Sequence, residues 1–294
     1  MKMNWLERMS GAIDFIEQNL ESSLKLEDVA KVACCSKYHF HRMFFACFKV
    51  TCAEYIRSRK LTLAAADLMH TESNIAEIAL QYGYESPNAF TRAFRHYHGI
   101  NPSCVRSDNV KLSAYKRLSY SIEKHTGDSM NYRMIDVPEF KIVGKSKRFE
   151  FDDFVKEGPK FWKTYVNTEK YKVLTELKQG RPSLVTQSSM LSAYFPTQHC
   201  QRDEFLDVLG IELDTDTHLN EFEKFTVPAG KYAEFTCTYK TSMKTNRYIY
   251  GEWFASTGFE RDEDKPDIVS YFPIPFRPMG EMQLRWWIPV IVNS

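Results

Sequence analysis

From its start to about residue 105 the chain repeats apolar positions with the period of a helix. Trp5, Met9, Ile13, Ile16 and Leu20 fall on one face of a predicted first helix. LEDVAKVA (26–33) is a short amphipathic segment, and Ser36 is placed to cap the helix that follows it. Residues 51–69 contain neither Gly nor Pro and are rich in Ala and Leu, which predicts one long helix capped by Thr51. Asn74 is placed to cap IAEIALQYG, which ends on Gly83. Ser86 followed by Pro87 opens another helix, Gly99 stops it and Pro102 opens a last one.

Around 107–131 the chain turns polar, and it runs into HTGDSM (125–130). This predicts a first domain over 1–107, a linker over 108–130 and a second domain over 131–294. Beyond the linker the pattern changes. KIVGKSKRFEF (141–151) and KYAEFTCTY (231–239) alternate like half-buried strands, and LRWWIPV (284–290) reads as a late strand stopped by Pro289. Residues 152–178 and 242–257 read as largely helical, with Gly158-Pro159 breaking the first. Val137-Pro138 with Lys141 matches Val227-Pro228 with Lys231 at an offset of 90, and each precedes a strand and then a helix, which suggests a duplication.

The composition is that of a globular protein, 43% apolar and 26% charged, with no apolar run near the ~18 residues of a membrane helix. The charged, amphipathic N-terminus is not read as a signal peptide. Seven cysteines, an odd number without a CxxC pair, predict reduced thiols in a cytoplasmic protein, with no disulfide frame and no metal site. The net charge of +1 hides an asymmetry. Residues 1–125 carry 17 Lys+Arg against 13 Asp+Glu and six of the eight His, whereas residues 126–294 carry 22 against 25. The first half is the better match for a polyanion.

Two runs in that half share a skeleton. SKYHFHRMFFACF (36–48) and SPNAFTRAFRHYH (86–98) align Ser36/Ser86, Phe40/Phe90, Arg42/Arg92 and Phe44/Phe94, each pair 50 apart. On a helix, Phe40, Met43, Phe44 and Cys47 form one apolar face, as do Phe90, Ala93, Phe94 and Tyr97. The opposite faces carry Lys37, Tyr38, His41 and Arg42 in one run and Asn88, Thr91, Arg92 and Arg95 in the other. These long donors suit base edges and phosphates. A shorter helix before each run completes a helix-turn-helix. The text LEDVAKVACCSKYHFHRMFFACF, AEYIRSRKLTLAAADLM and IAEIALQYGYESPNAFTRAFRHYHGINP, about residues 4–106, resembles the AraC/XylS family of transcription regulators of the MarA and Rob type. The resemblance implies an all-α N-terminal domain with two helix-turn-helix motifs joined by a long helix. It places base contacts on Tyr38, His41 and Arg42, then on Pro87, Asn88, Thr91 and Arg92. Three positions depart from the pattern: Cys34-Cys35 stands where a Gly-containing turn is usual, Lys49 replaces the Gly that stops the first reader helix, and Pro87 cannot donate a hydrogen bond.

Residues 126–294 hold 27 of the 42 aromatics. VPEFKIVGKSKRFEF, TVPAGKYAEFTCTYK, YIYGEWFASTGFE and RWWIPV resemble the GyrI-like effector-binding domain. That resemblance implies an α+β C-terminal domain of duplicated βαββ halves around a cleft for a small organic ligand. Trp162, Tyr194, Tyr250, Glu252, Trp253, Tyr271, Arg285 and Trp287 are the expected lining. Arg285 stands where the family usually carries a cleft-facing Glu, so an anionic or neutral ligand is expected. No cofactor is expected. The expected partners are double-stranded DNA and a small-molecule effector, with RNA polymerase open as a further one and no membrane. Two other classes stay open: a small-molecule hydrolase using Glu252 or Tyr250, although no triad, metal cluster or phosphate loop is visible, and a protein-interaction module built on the acidic second half. His199-Cys200 reads as a loop coincidence.

Overall fold

The computed structural model describes residues 5–106, 110–119, 130–178, 183–196, 204–213, 222–273 and 277–291; His199 and Cys200 lie outside them. The chain divides into two compact units, Met1–Ser121 and Ile122–Ser294.

The first unit is helical: α1 (Trp5–Gln18), α2 (Leu26–Val32), α3 (Lys37–Phe48), α4 (Cys52–His70), α5 (Ile75–Gln81) and α6 (Pro87–His98), then a short 3-10 turn at Pro102–Cys104. The helix starts lie where their cap residues predict. The Ser36 side chain accepts from the His39 amide and Ser86 from the Ala89 amide, both at 3.2 Å. Thr51 and Asn74 each build a reciprocal capping box, with Glu54 and Glu77. The α3 and α6 ends both need a left-handed residue. Gly99 supplies it after α6 with φ +79°, whereas after α3 it is Lys49, at φ +61°. Cys34, in the α2–α3 turn, is also left-handed at φ +52°. Both departures from the expected glycines therefore fall where the backbone asks for glycine.

Two apolar clusters share α4. Leu61, Ala64, Ala65 and Leu68 pack with Ile78, Ala79, Tyr82, Phe90, Phe94 and Val105. Nearer the N-terminus, Phe44 meets Phe40 at 5.7 Å and Tyr55 at 5.8 Å between ring centres. The expected linker needs correction at 110–119, because this stretch is tied to the helices. Arg59 Nη1 donates to the Tyr115 carbonyl at 2.6 Å, the Tyr115 amide donates to Thr62 Oγ1 at 2.9 Å, and the Leu118 amide donates to the Tyr55 hydroxyl at 3.2 Å. Backbone polar groups without a helix or sheet still need partners, and long side chains of α4 supply them.

The second unit is an antiparallel sheet with helices. Its strands are β1 (Tyr132–Val137), β2 (Phe140–Glu150), β3 (Met190–Pro196), β4 (Glu204–Glu212), β5 (Glu223–Val227), β6 (Gly230–Thr238), β7 (Glu260–Arg261), β8 (Asp267–Phe272) and β9 (Gln283–Ile291). Their order is β1-β6-β9-β8-β3-β4-β2-β5, with β7 on β9. The helices α7 (Phe151–Val166), α8 (Glu169–Lys178), α9 (Ser242–Tyr248) and α10 (Phe254–Thr257) cover one face, and a π-helical turn, Ile249–Trp253, joins α9 to α10. Phe154 of α7 meets Tyr194 and Phe205, and Trp253 meets Phe235. The other face carries a separate core that includes Ile142, Leu191, Ala193, Val208, Tyr232, Ile268 and Trp287.

Two sequence expectations fail here. The helix from 151 runs through Gly158-Pro159 and breaks at 167–168 instead. A proline inside a helix loses one hydrogen bond, and here the neighbouring glycine has a packing role: a Cβ on Gly158 would lie 2.5 Å from the Phe154 ring. Likewise β9 passes through Pro289 to Ile291. Its pairing with β8 ends at Trp287, so at Pro289 β6 is the paired neighbour, through Tyr232, and a donor is not needed toward β8.

Candidate functional sites

On α3 and α6 the apolar faces are as the spacing predicts: Phe40, Met43, Phe44, Phe90 and Phe94 are all buried. The opposite faces differ. On α6, Pro87, Asn88, Arg92 and Arg95 are exposed and Thr91 is half-buried. These side chains stand on one open helical surface. On α3, Tyr38, His41 and Arg42 are buried, at 9%, 4% and 8% exposure, against the expectation of an outward face. Arg42 Nη1 donates to the Tyr38 hydroxyl one turn earlier at 2.6 Å, and its guanidinium lies 5.5 Å from that ring centre. Lys37 is half-buried and pairs with Glu27 of α2 at 2.8 Å. Amphipathic spacing reports where an apolar face lies and is silent about what covers the opposite one. It therefore missed both the burial and the Glu27 pair.

The expected ligand residues do not form one site. Strand alternation puts Tyr194, Tyr271 and Trp286 on the helix-covered face, where Trp162 of α7 meets Tyr271 at 6.3 Å and Tyr194 stacks with Trp286 at 6.4 Å between ring centres. The Tyr271 hydroxyl lies 3.3 Å from Ser192 Oγ, and burial pushes its phenol pKa up. Arg285 and Trp287 have the other parity and lie on the opposite face. Trp287 belongs to the core there and donates from Nε1 to Glu234 Oε2 at 2.8 Å. The Arg285 guanidinium lies 4.5 Å from the Phe272 ring centre and forms no ion pair among the described residues. The two positions are two residues apart on one strand, so they share a face, but it is not the face of Trp162 and Tyr194.

Tyr250, Glu252 and Trp253 lie on the π turn. Tyr250 is fully buried and its hydroxyl donates to Asp267 Oδ2, while Asp267 Oδ1 accepts from Arg261 Nε at 3.1 Å and Nη2 at 3.0 Å. Trp253 is 1% exposed, among Phe235, Phe254, Phe259 and Tyr132. Glu252 is half-buried, and its charge helps to raise the Tyr248 phenol pKa, for which burial is the larger cause. Tyr250 and Trp253 thus hold the unit together.

Sequence reasoning missed one residue. Asp207 of β4 is 6% exposed, lies on the helix-covered face beside Tyr194, and among the described residues has no partner for Oδ1. Burial alone pushes its carboxyl up to about 7. In sequence it is a polar residue within FLDVLG, and the alternation of that strand was the one available signal.

A helical unit of capped short-and-long helix pairs, followed by a sheet domain with a polar group buried beneath aromatic helices, is the build of a regulator that couples a helix-turn-helix to an effector domain. Family models bear on each part: a helix-turn-helix domain matches residues 29–108, and the integron-associated effector binding protein matches residues 133–290. The chain belongs to the AraC-type helix-turn-helix transcription regulators with a GyrI-like effector-binding domain, that domain being of the integron-associated effector binding protein family.

Among curated relatives, the chain is similar to the HTH-type transcriptional regulator YbfP of Bacillus subtilis, at 36% identity over 125 residues, 42% of each chain. It is also similar to the multiple antibiotic resistance protein MarA of Escherichia coli, at 39% over 99 residues, 34% of this chain and 78% of MarA. Among solved structures, SAV2435 bound to tetraphenylphosphonium matches 55% of this chain and 94% of its own at 13% identity, with a TM-score of 0.46. No described helix is long and apolar enough to cross a membrane.

Proposed function

We propose that the protein is a one-component transcription regulator that reads double-stranded DNA with α3 and α6 and senses a small organic ligand on the helix-covered face of its second unit. The observation that carries the DNA reading is the likeness of the two helix pairs. Each second helix starts on a serine cap with the same 3.2 Å bond and buries a Phe pair with rings 5.7 or 5.4 Å apart. The 19-residue α4 joins them. Such a helix spans roughly 28 Å, close to the ~34 Å between successive major-groove faces, so both pairs reach one side of a slightly bent duplex. The paired readers differ at corresponding positions, Tyr38 and His41 against Asn88 and Thr91, which suits an asymmetric site.

The sheet supports a duplicated βαββ origin for the second unit. Exchanging β1 with β5, β2 with β6, β3 with β8 and β4 with β9 reverses the strand order onto itself, and it matches the 90-residue offset of the Val-Pro motifs. Binding rather than turnover is the reading, with the protein beside DNA in the cytoplasm. Genome-wide footprinting would supply the operator. On that operator, Arg92→Ala and Arg42→Ala are each expected to weaken binding by about 1–3 kcal/mol in a gel-shift titration. Unchanged affinity in both would overturn the DNA reading.

A further inference from the structure

The two helix pairs of the first unit share α4, and a second element ties them together beside it. Residues 110–119 form a segment without helix or strand that follows the second pair. One end of it belongs to the second reader. Leu112 is half-buried against the cluster of Leu61, Ile78, Phe90 and Phe94, which seats α6. The other end belongs to the first. The Tyr115 ring meets Tyr55 at 5.8 Å between ring centres, and Tyr55 meets Phe44 of α3 at 5.8 Å. The Leu118 amide donates to the Tyr55 hydroxyl, and Arg117 pairs with Asp14 of α1.

Between these ends the segment is held on α4. Thr62 Oγ1 accepts from the Tyr115 amide at 2.9 Å and donates to the Ser58 carbonyl at 2.8 Å, while Arg59 Nη1 donates to the Tyr115 carbonyl. Thr62, Arg59 and Tyr55 are three and four residues apart, so they share one face of that helix. Arg59 is in turn held by Glu17 of α1 through Nε and Nη2. The anchors therefore lie on α1, along α4 and in the core under α6, and all of them are met at once only in one arrangement of the two pairs. A long helix alone bends gently. A bend or twist of α4 would carry the seat of Leu112 away from those of Tyr115 and Leu118. Ser113 and Ala114, between the anchors, are exposed.

We propose that residues 110–119 are a strap that sets the distance and rotation between α3 and α6, with Leu112 and Tyr115 as positioning residues, and that the strap makes the chain discriminate the spacing of the two DNA segments it reads. This rests on the DNA reading above. Two linked modules bind their second segment at an effective concentration set by the stiffness of the connection. One inserted base pair moves that segment by about 3.4 Å along the duplex and about 35° around it. The test is a gel-shift titration of the full chain on the operator found by footprinting, on that operator with one base pair inserted between its two segments, on versions with either segment scrambled, and on a fully scrambled duplex. The unaltered chain is expected to lose at least about tenfold on the inserted duplex. Leu112→Ser combined with Tyr115→Ala frees the strap, and a Gly-Gly-Gly insertion between Ser113 and Ala114 slackens it with every anchor kept. Relative to its own operator affinity, each variant is expected to lose about threefold or less on the inserted duplex. Each is also expected to match the unaltered chain on the duplexes with one segment scrambled, whereas a general loss of fold would weaken binding to all of them. Where the double substitution fails to fold, the insertion variant decides. A tenfold penalty retained by the insertion variant, or an unaltered chain indifferent to the inserted base pair, overturns the strap and leaves the DNA reading standing. If the operator is bound no more tightly than the fully scrambled duplex, both fall.

Discussion

Tyr250→Phe separates a structural tyrosine from a ligand-binding one. The hydroxyl it removes donates to Asp267 Oδ2 in a site where Tyr250, Asp267 and the Arg261 side chain are all fully buried. The ring stays, so no cavity forms, and the loss is one hydrogen bond to a charged group, about 1.5–3 kcal/mol. Asp267→Asn goes further and neutralises the partner of a buried guanidinium. Arg261 then keeps the Asp262 carbonyl at 3.0 Å, the Lys265 carbonyl at 2.7 Å and Glu263 Oε2 at 3.4 Å among its acceptors. Breaking a buried pair costs about 3–5 kcal/mol, and these remaining acceptors set the lower end. Urea unfolding followed by tryptophan fluorescence reads the right unit, because four of the five tryptophans (Trp162, Trp253, Trp286, Trp287) lie in it. With a slope of about 2 kcal/mol/M, the two variants move the midpoint by about 1 M and 1.5 M. Their double mutant is expected to lose less than the sum, since both act on one carboxylate. The reasoning is refuted if Tyr250→Phe leaves the midpoint in place and instead abolishes the response to an effector.

Lys49→Gly relieves a left-handed residue at φ +61° and is expected to raise stability by about 0.5–1 kcal/mol, seen as a higher thermal midpoint. Gly144→Ala places a Cβ 2.2 Å from the Leu209 carbonyl oxygen, and Gly210→Ala places one 2.3 Å from that of Val143. Each is expected to cost about 3 kcal/mol or to abolish soluble expression. Glu17 accepts from Arg59 Nε at 2.9 Å, Arg59 Nη2 at 2.7 Å and the Tyr55 hydroxyl at 2.6 Å. Burial raises its carboxyl pKa, but these bonds outweigh it and hold the carboxyl below its ordinary range. A depressed carboxylate contributes stability above its unfolded pKa and loses it as pH falls through the folded one. Glu17→Gln is therefore expected to cost about 2 kcal/mol at neutral pH and to flatten the stability loss below pH ~4, measured by denaturant titration across pH.

The caps and breakers of the first unit were legible because they act within a few residues. Ser36, Thr51, Asn74, Ser86 and Gly99 each satisfy backbone groups next to them in sequence, and the glycine-less turns at Cys34 and Lys49 show the same local demand. Gly158-Pro159 and Pro289 looked like breakers on the same logic and were not. Whether a missing donor matters depends on whether a neighbouring strand or turn calls for it, and for β9 that depends on where β8 ends.

By itself, then, the sequence determined the helix pairs, their apolar faces, the change of pattern into a sheet domain and the Phe pairs that seat α3 and α6, all through periods of 3.6 and 2 and contacts a few residues long. Only the tertiary structure decided which aromatics meet. It separated Trp162, Tyr194 and Tyr271 from Arg285 and Trp287, buried Tyr38, His41 and Arg42, committed Tyr250 to Asp267, and buried Asp207 across from the exposed Lys147. The physical reason is that a side chain's partners come from strands and helices distant in the chain, and burial makes those partners decisive while sequence spacing carries no record of them.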